Sequence, residues 1–228
     1  MFKNIQDVFF DLDHTLWDFE RNSALTFQKI LTENRVDIKL DSFLEVYRPI
    51  NLRYWKVYRE NRIGKEDLRY KRLKETFDAL NYDASDELID IISEQYIECL
   101  STFGNLIPNA MQVLEYLAPK YNLHIITNGF REAQGSKLKN SNIRGFFKEI
   151  IDSETAGVKK PHPQIFEVAL QRANTLARTS LMIGDNLEAD IIGAQAIGMR
   201  ALHFNFHQEP EHQLCRIINN LDEIKSLL

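Results

Sequence analysis

Short runs of apolar, β-branched and aromatic residues recur along the chain without a helical period. The first, residues 5–10, ends in an acidic turn and predicts a buried strand. Four similar runs follow much later, at residues 123–127, 149–152, 180–184 and 199–203. Helical patterns lie among them, at residues 108–117 with Pro108 at a first-turn position, 132–141, 163–174 opened by Pro163, and 188–197. Strands alternating with helices of this length predict βαβ units, and therefore an α/β fold with a parallel sheet covered on both faces.

That rhythm breaks between the first two strands, where residues 17–103 carry helical periodicity and no convincing strand. Asp41 and Ser42, with Glu45 completing an S-x-x-E box, predict one helix start. Ser85 followed by Asp86 and Glu87 predicts another. The expected organisation is therefore a core made of residues 1–16 and 104–228, interrupted by an all-helical insertion over 17–103. No repeat is visible that would suggest a solenoid.

Composition narrows the class. A chain of 228 residues, 44% hydrophobic and 27% charged, is an ordinary globular sequence rather than a disordered or fibrous one. Its 28 Lys+Arg against 33 Asp+Glu leave a net charge of −5, which argues against coating nucleic acid or an anionic membrane. An anionic ligand must then be held by local positive charge. Cys99 and Cys215 stand far apart without CxxC spacing, so reduced thiols in a cytoplasmic protein are expected. Val8, Phe9 and Phe10 form too short an apolar stretch for a signal segment, and no run approaches the ~18 residues of a membrane span.

The candidate chemistry sits at strand ends, where ligands bind in parallel sheets. Asp11 and Asp13 follow the first strand, and two positions apart in extended chain they face the same way. Such a pair repels itself unless a cation intervenes or one carboxyl keeps its proton. Thr127, Asn128 and Gly129 end the second strand just before a helix, offering a hydroxyl, an amide and free N–H groups suited to phosphate. Lys159 and Lys160 lie on an irregular segment before Pro163, where an ammonium can neutralise an anion. Asp185, with Glu188 and Asp190 one turn on, closes the fourth strand with a second acidic cluster. One or two carboxylates plus water and substrate phosphate make a typical Mg²⁺ environment. His124 and His203, inside strand patterns, read as packed histidines, and His207 and His212 lack metal-ligand spacing.

In chain order, Asp11-Leu12-Asp13-His14-Thr15, Thr127-Asn128-Gly129, Lys160-Pro161 and Gly184-Asp185 with Asp190 resemble the four motifs of the haloacid dehalogenase superfamily. The resemblance covers the whole chain. It implies a doubly wound, Rossmann-like α/β core with a subclass I helical cap, and Mg²⁺-dependent hydrolysis of phosphate esters. Carried over, it makes Asp11 the nucleophile and Asp13 the general acid and base. Thr127, Asn128 and Lys160 would bind the phosphoryl group. Asp11, Asp185 and the backbone carbonyl of Asp13 would hold Mg²⁺, with Thr15 and Asp190 in supporting positions. His14 and His162 occupy variable positions of these motifs. The dehalogenases that name the superfamily lack the second aspartate of the first motif, so Asp13 favours phosphate chemistry.

Residues 48–74 of the insertion hold ten Lys+Arg against three Asp+Glu, interleaved with Tyr54, Trp55, Tyr58 and Tyr70. Two readings stand: a solvated helix face with aromatics packed inside, or a basic aromatic rim that stacks a nucleobase. Residues 50–55, 125–130 and 157–161 resemble the bacterial house-cleaning pyrimidine 5′-nucleotidases of the superfamily. That implies a small-molecule partner, a nucleoside monophosphate, acted on by a cytoplasmic monomer or small homo-oligomer that binds neither nucleic acid nor membrane. The alternatives are a sugar phosphate or phosphoglycolate phosphatase, a phosphomutase, and a catalytically idle binding module.

Overall fold

Four consecutive fully buried residues, Asp7–Phe10, make β1, and its burial on both faces explains why the run shows no alternation. The computed structural model describes residues 2–228. After β1 come α1 (Phe19–Glu33), α2 (Leu40–Arg59), α3 (Lys65–Ala79), α4 (Asp86–Leu100) and α5 (Ala110–Leu117). The chain continues with β2 (Asn122–Thr127), α6 (Arg131–Asn140), β3 (Phe147–Asp152), α7 (Ser153–Ala156), α8 (Pro163–Ala173) and β4 (Ser180–Gly184). It closes with α9 (Gly193–Ala196), β5 (Arg200–Phe204), β6 (Arg216–Ile218) and α10 (Ile224–Leu227).

The six strands form one sheet in the order β3-β2-β1-β4-β5-β6, and every pairing is parallel. Chain order runs outward from β1 in both directions, so the fold is doubly wound and the switch point lies at β1. One face of the sheet packs Phe9, Ile126, Ile151 and Met182 against Ile165, Phe166 and Ala169 of α8. Each large apolar side chain buried this way contributes about 1.5–3 kcal/mol.

Asp7 and His124 are polar residues inside this sheet, and their partners explain why they are tolerated. Asp7 accepts from Asn122 Nδ2 at 3.0 Å and from Thr175 Oγ1 at 2.6 Å, and its Oδ1 lies 3.1 Å from His124 Nε2. The His124 ring stacks on Phe9 with centroids 4.6 Å apart. Burial lowers the His124 pKa, and the Asp7 hydrogen bond only partly opposes it. Its folded value therefore lies below its unfolded one, the unfolded chain binds more protons, and stability falls as pH drops below ~6.5. His124→Phe keeps the stack and removes the proton site. Its melting temperature should fall less than that of the parent between pH 7 and pH 5; equal slopes would assign the acid sensitivity elsewhere.

The chain divides into two compact units, one formed by residues up to Phe19 with Gly104–Leu228, the other by Glu20–Phe103. The first unit extends past the expected boundary at residue 16, because Trp17 bridges to both Asp13 and Leu106. The second unit is helical and centres on Phe27, whose ring lies 4.7 Å from Phe43 and 4.6 Å from Tyr96. Arg72 is also inside, donating to Asn51 Oδ1 at 3.0 Å with its guanidinium 5.0 Å from the Tyr96 ring centre.

Local differences from the sequence expectations have local causes. Helix α2 starts at Leu40 after Lys39, which makes no side-chain cap, so Asp41 and Ser42 fall inside the first turn. There Asp41 meets the positive end of the helix dipole. Pro108 precedes its helix, which begins after left-handed Asn109. Ser85 caps α4 as expected, accepting from Leu88 N at 3.2 Å. The segment after β4 is a π-helical turn, Leu187–Ile192, before α9. Strand β6 was not anticipated, since three residues are too few to show a period.

Candidate active site

The site is assembled at the carboxyl ends of β1, β2 and β4. Asp11 N–H donates to Ile183 O at 2.9 Å, continuing the strand pairing one residue beyond β1. The chain then curls back: Leu16 and Trp17 N–H both donate to Leu12 O, and His14 N–H donates to Trp17 O. His14 adopts a left-handed φ of 63° within that curl. Gly184 ends β4 where a Cβ would overlap the Asp190 carboxylate, so glycine allows Asp190 to lie against the strand end.

Lys160 is the centre of the arrangement. Its ammonium donates to Asp11 Oδ1 at 2.5 Å, to Asp190 Oδ1 at 2.6 Å and to Ile126 O at 2.7 Å. All three of its donors are used, as a buried ammonium requires. Burial alone would lower its pKa, but the charges and hydrogen bonds of Asp11 and Asp190 together push it above the ordinary lysine value. Lys159 is half-buried, and that burial pulls its pKa down. Glu188 points to solvent while Asp190 is buried, so the π-helical turn separates these two acids.

The expected site residues fall as follows. Thr15 Oγ1 donates to Asp185 Oδ1 at 3.0 Å, tying the β1 loop to the β4 end. Thr127 Oγ1 accepts from Gly129 N at 3.0 Å and from Gln134 Nε2 at 2.8 Å. Asn128 uses both ends of its side-chain amide on the backbone of Lys160, accepting from N at 2.8 Å and donating to O at 2.9 Å. Its side chain thereby holds the lysine segment. Asp13 turns away from Lys160 toward α6, where Lys137 Nζ lies 2.6 Å from Oδ1 and Gln134 Nε2 lies 3.1 Å from Oδ2.

Gln134 and Lys137 were not read from the sequence. Their i,i+3 spacing puts them on one face of α6, and both are buried. The Lys137 ammonium also sits 4.4 Å from the centre of the Trp17 ring, a cation–π contact. The same polar spacing describes any solvated helix face, so only the fold distinguishes them. His207 was set aside for lack of spacing, yet its Nε2 lies 3.1 Å from Asp185 Oδ2. His203, read as packed, is buried with Nε2 2.9 Å from Asp185 O.

Asp11, Asp185 and Asp190 each present a carboxylate oxygen, all within 4.8 Å of one another. Burial pushes the Asp11 carboxyl well above its usual range, Lys160 opposes this, and Asp190 and Asp185 add to it. Burial also raises Asp190, again against the opposing charge of Lys160. Burial acts upward on Asp185 too, but the His207 hydrogen bond and the charges of His14, His207 and Lys160 hold it below the usual range. Three carboxylates thus converge here against the single ammonium of Lys160, while Asp13 pairs with Lys137 beside them. An all-oxygen donor set with surplus negative charge fits a hard divalent cation such as Mg²⁺.

The sheet is thus doubly wound and parallel, with an acidic, lysine-bridged cluster at its switch point. Residues 6–198 match the haloacid dehalogenase-like hydrolases, and the chain belongs to that family. It is 28% identical to the pyrimidine 5′-nucleotidase YjjG of Escherichia coli strain K12, over 97% of this chain and 96% of that protein. It is 33% identical to the glyceraldehyde 3-phosphate phosphatase of Pyrococcus abyssi, over 89% of this chain and 82% of that protein. Among solved structures, that of the HAD-hydrolase YfnB from Bacillus subtilis bound to magnesium covers 99% of both chains at 26% identity with a TM-score of 0.87. Among the described residues, no helix is long and apolar enough to cross a membrane.

Proposed function

We propose that the chain is a Mg²⁺-dependent phosphatase that works through an aspartyl-phosphate, and that its substrates are pyrimidine nucleoside 5′-monophosphates. The observation that carries the reading is the convergence of Asp11, Lys160, Asp185 and Asp190 in one buried cluster. Mg²⁺ would be held by Asp11, Asp185 and the Asp13 carbonyl, with Asp190 and Thr15 supporting them, and would supply charge neutralisation to a dianionic substrate. Each remaining role belongs to a residue of this chain. The Asp11 carboxylate attacks phosphorus, the phosphorus–ester oxygen bond breaks, and Asp13 gives its proton to the departing alkoxide. Asp13 then takes a proton from water, whose oxygen attacks the aspartyl-phosphate and releases inorganic phosphate. The Thr127 hydroxyl and the Asn128 backbone N–H donate to the phosphoryl oxygens, and the Lys160 ammonium, held beside Asp11, offsets their charge and turns an N–H to them as Asp11 is consumed. Lys137 and Gln134 position the Asp13 carboxylate through one hydrogen bond to each oxygen.

Residues Glu20–Phe103 are assigned the part of the cap that selects the ester. Tyr58 is buried, and the Tyr54 hydroxyl donates to Glu75 at 3.0 Å, which also pairs with Arg53. The burial of Tyr58 favours internal packing for that ring, whereas the Arg53–Glu75 pair lies at the surface, 57% and 39% exposed. Support for nucleotides therefore rests chiefly on the near full-length match to a pyrimidine 5′-nucleotidase. The match to a glyceraldehyde 3-phosphate phosphatase keeps triose and other sugar phosphates as the second reading.

The test is phosphate release, with Mg²⁺ and with EDTA, across pyrimidine and purine monophosphates, glyceraldehyde 3-phosphate, other sugar phosphates and phosphoglycolate. The expected result is metal-dependent release with the highest kcat/KM for a pyrimidine monophosphate. A higher value for a sugar phosphate would keep the chemistry and overturn the nucleotide assignment. Transfer of the phosphoryl group within the substrate, without free phosphate, would make the protein a mutase.

A further inference from the structure

We propose that His14, Asp185 and His207 form a second cation site, of two imidazole nitrogens and one carboxylate oxygen, that takes first-row transition cations of the Zn²⁺ class. The three ligand atoms lie within 4.8 Å of one another. They come from three separate segments of the core unit: the curl after β1, the end of β4 and the segment after β5. The His207–Asp185 pair is already at 3.1 Å. Zinc–ligand bonds of ~2.0–2.1 Å set ligand separations of roughly 3.3 Å in a tetrahedral site, close to the His207–Asp185 separation and within reach of a triad no wider than 4.8 Å.

The surroundings preset both rings. His14 and His207 meet edge to face with centroids 4.9 Å apart. Phe206 flanks both, 5.3 Å from His14 and 5.0 Å from His207. Thr15 holds the other Asp185 oxygen, an outer hydrogen bond of the kind that orients metal ligands. Both histidines are half-buried, which leaves a path for an ion.

Two donor triads therefore share Asp185: the all-oxygen set of Asp11, Asp185 and Asp190, and the mixed set of His14, Asp185 and His207. Imidazole favours zinc, copper, nickel and iron, whereas carboxylates and water suit magnesium. A cation on the mixed set draws on the lone pairs of Asp185 and competes with a hard cation on the carboxylates. The competition rests on the metal assignment made above, but the mixed site does not.

Calorimetric titration of the metal-free protein with Zn²⁺ alone, and Co²⁺ titration followed by visible absorption, test the site. Wild type should bind one equivalent and show intense Co²⁺ bands. His14→Ala and His207→Ala should each weaken Zn²⁺ by more than about tenfold and lose those bands. His207→Gln, which keeps a hydrogen-bonding partner for Asp185, should retain the melting temperature and still lose Zn²⁺, separating ligation from a structural role. His212→Ala should bind Zn²⁺ as wild type does, and Mg²⁺ should still bind every histidine variant. Zn²⁺ affinity unchanged in both His14→Ala and His207→Ala would overturn the proposal, as would no binding by wild type. Loss in His212→Ala equal to that in His207→Ala would overturn it as well, because His212 Nε2 lies 2.9 Å from His203 Nδ1 and that pair would then hold the ion. If Asp11→Asn abolished Zn²⁺ binding while the histidine variants kept it, the ion would sit on the carboxylates and the mixed site would be wrong.

Discussion

Asp11→Asn should lower phosphate release by more than about a thousandfold, the scale seen when a covalent nucleophile is removed, while the protein melts at or above the parent temperature. The amide keeps the shape of the carboxylate but is a far poorer nucleophile. The stability half follows from the surroundings of Asp11. Burial, with the neighbouring Asp190 and Asp185, pushes its carboxyl well above the usual range despite Lys160. An acid whose folded pKa is raised loses stability as pH climbs from its unfolded value through its folded one. Removing that charge therefore relieves the fold at neutral pH, and Lys160 keeps Asp190 and the Ile126 carbonyl as acceptors. Melting in EDTA at pH 7–8, beside single-turnover phosphate release, reads both halves. Turnover near that of wild type would remove Asp11 from the nucleophile's place.

Lys160→Met should damage stability and turnover together. The ammonium is buried and bonded to two carboxylates. Removing one partner of a buried ionic set typically costs 3–5 kcal/mol, because the charges left behind are neither solvated nor paired. For a chain of this size that is a fall in Tm of roughly 6–20 °C. Turnover should fall about 10²–10³-fold through loss of charge on the transferring phosphoryl. Asp190→Asn added to Lys160→Met should recover part of the stability and none of the turnover, since it removes one orphaned charge without restoring the cation. Thermal melts and steady-state kinetics of the single and double variants separate the two effects. A Lys160→Met protein of parental stability would mean that the acids protonate at little cost, and retained turnover would reassign the phosphate-binding cation to Lys159.

Strand ends were legible because their signal is local. Apolar runs that stop at Asp11, Thr127 and Asp185 announce both a buried strand and the polar group presented beyond it, and the cluster is built from these ends. The family resemblance points to Asp190 over Glu188, and the π-helical turn buries the first and exposes the second. The S-x-x-E box at Ser42 does not mark the start of α2, because the N-cap position falls at Lys39, three residues ahead of that box, and the helix absorbs it. Strand β6 escaped because its three residues become a strand only by pairing with β5.

What the sequence determined by itself was the alternation of the first five strands with helices, the helical insertion after the first strand, and the motifs that carry Asp11, Asp13, Lys160 and Asp185. Each is written in periodicity or in motifs a few residues long. Tertiary structure alone decided that Lys160 bridges Asp11 and Asp190, that Asn128 secures the lysine backbone, and that Lys137 and Gln134 hold Asp13. It also decided that His207 reaches Asp185 across 22 residues. These contacts join segments distant along the chain, and a polar residue that will be buried has the same local pattern as one that will be solvated until the sheet brings its partner to it.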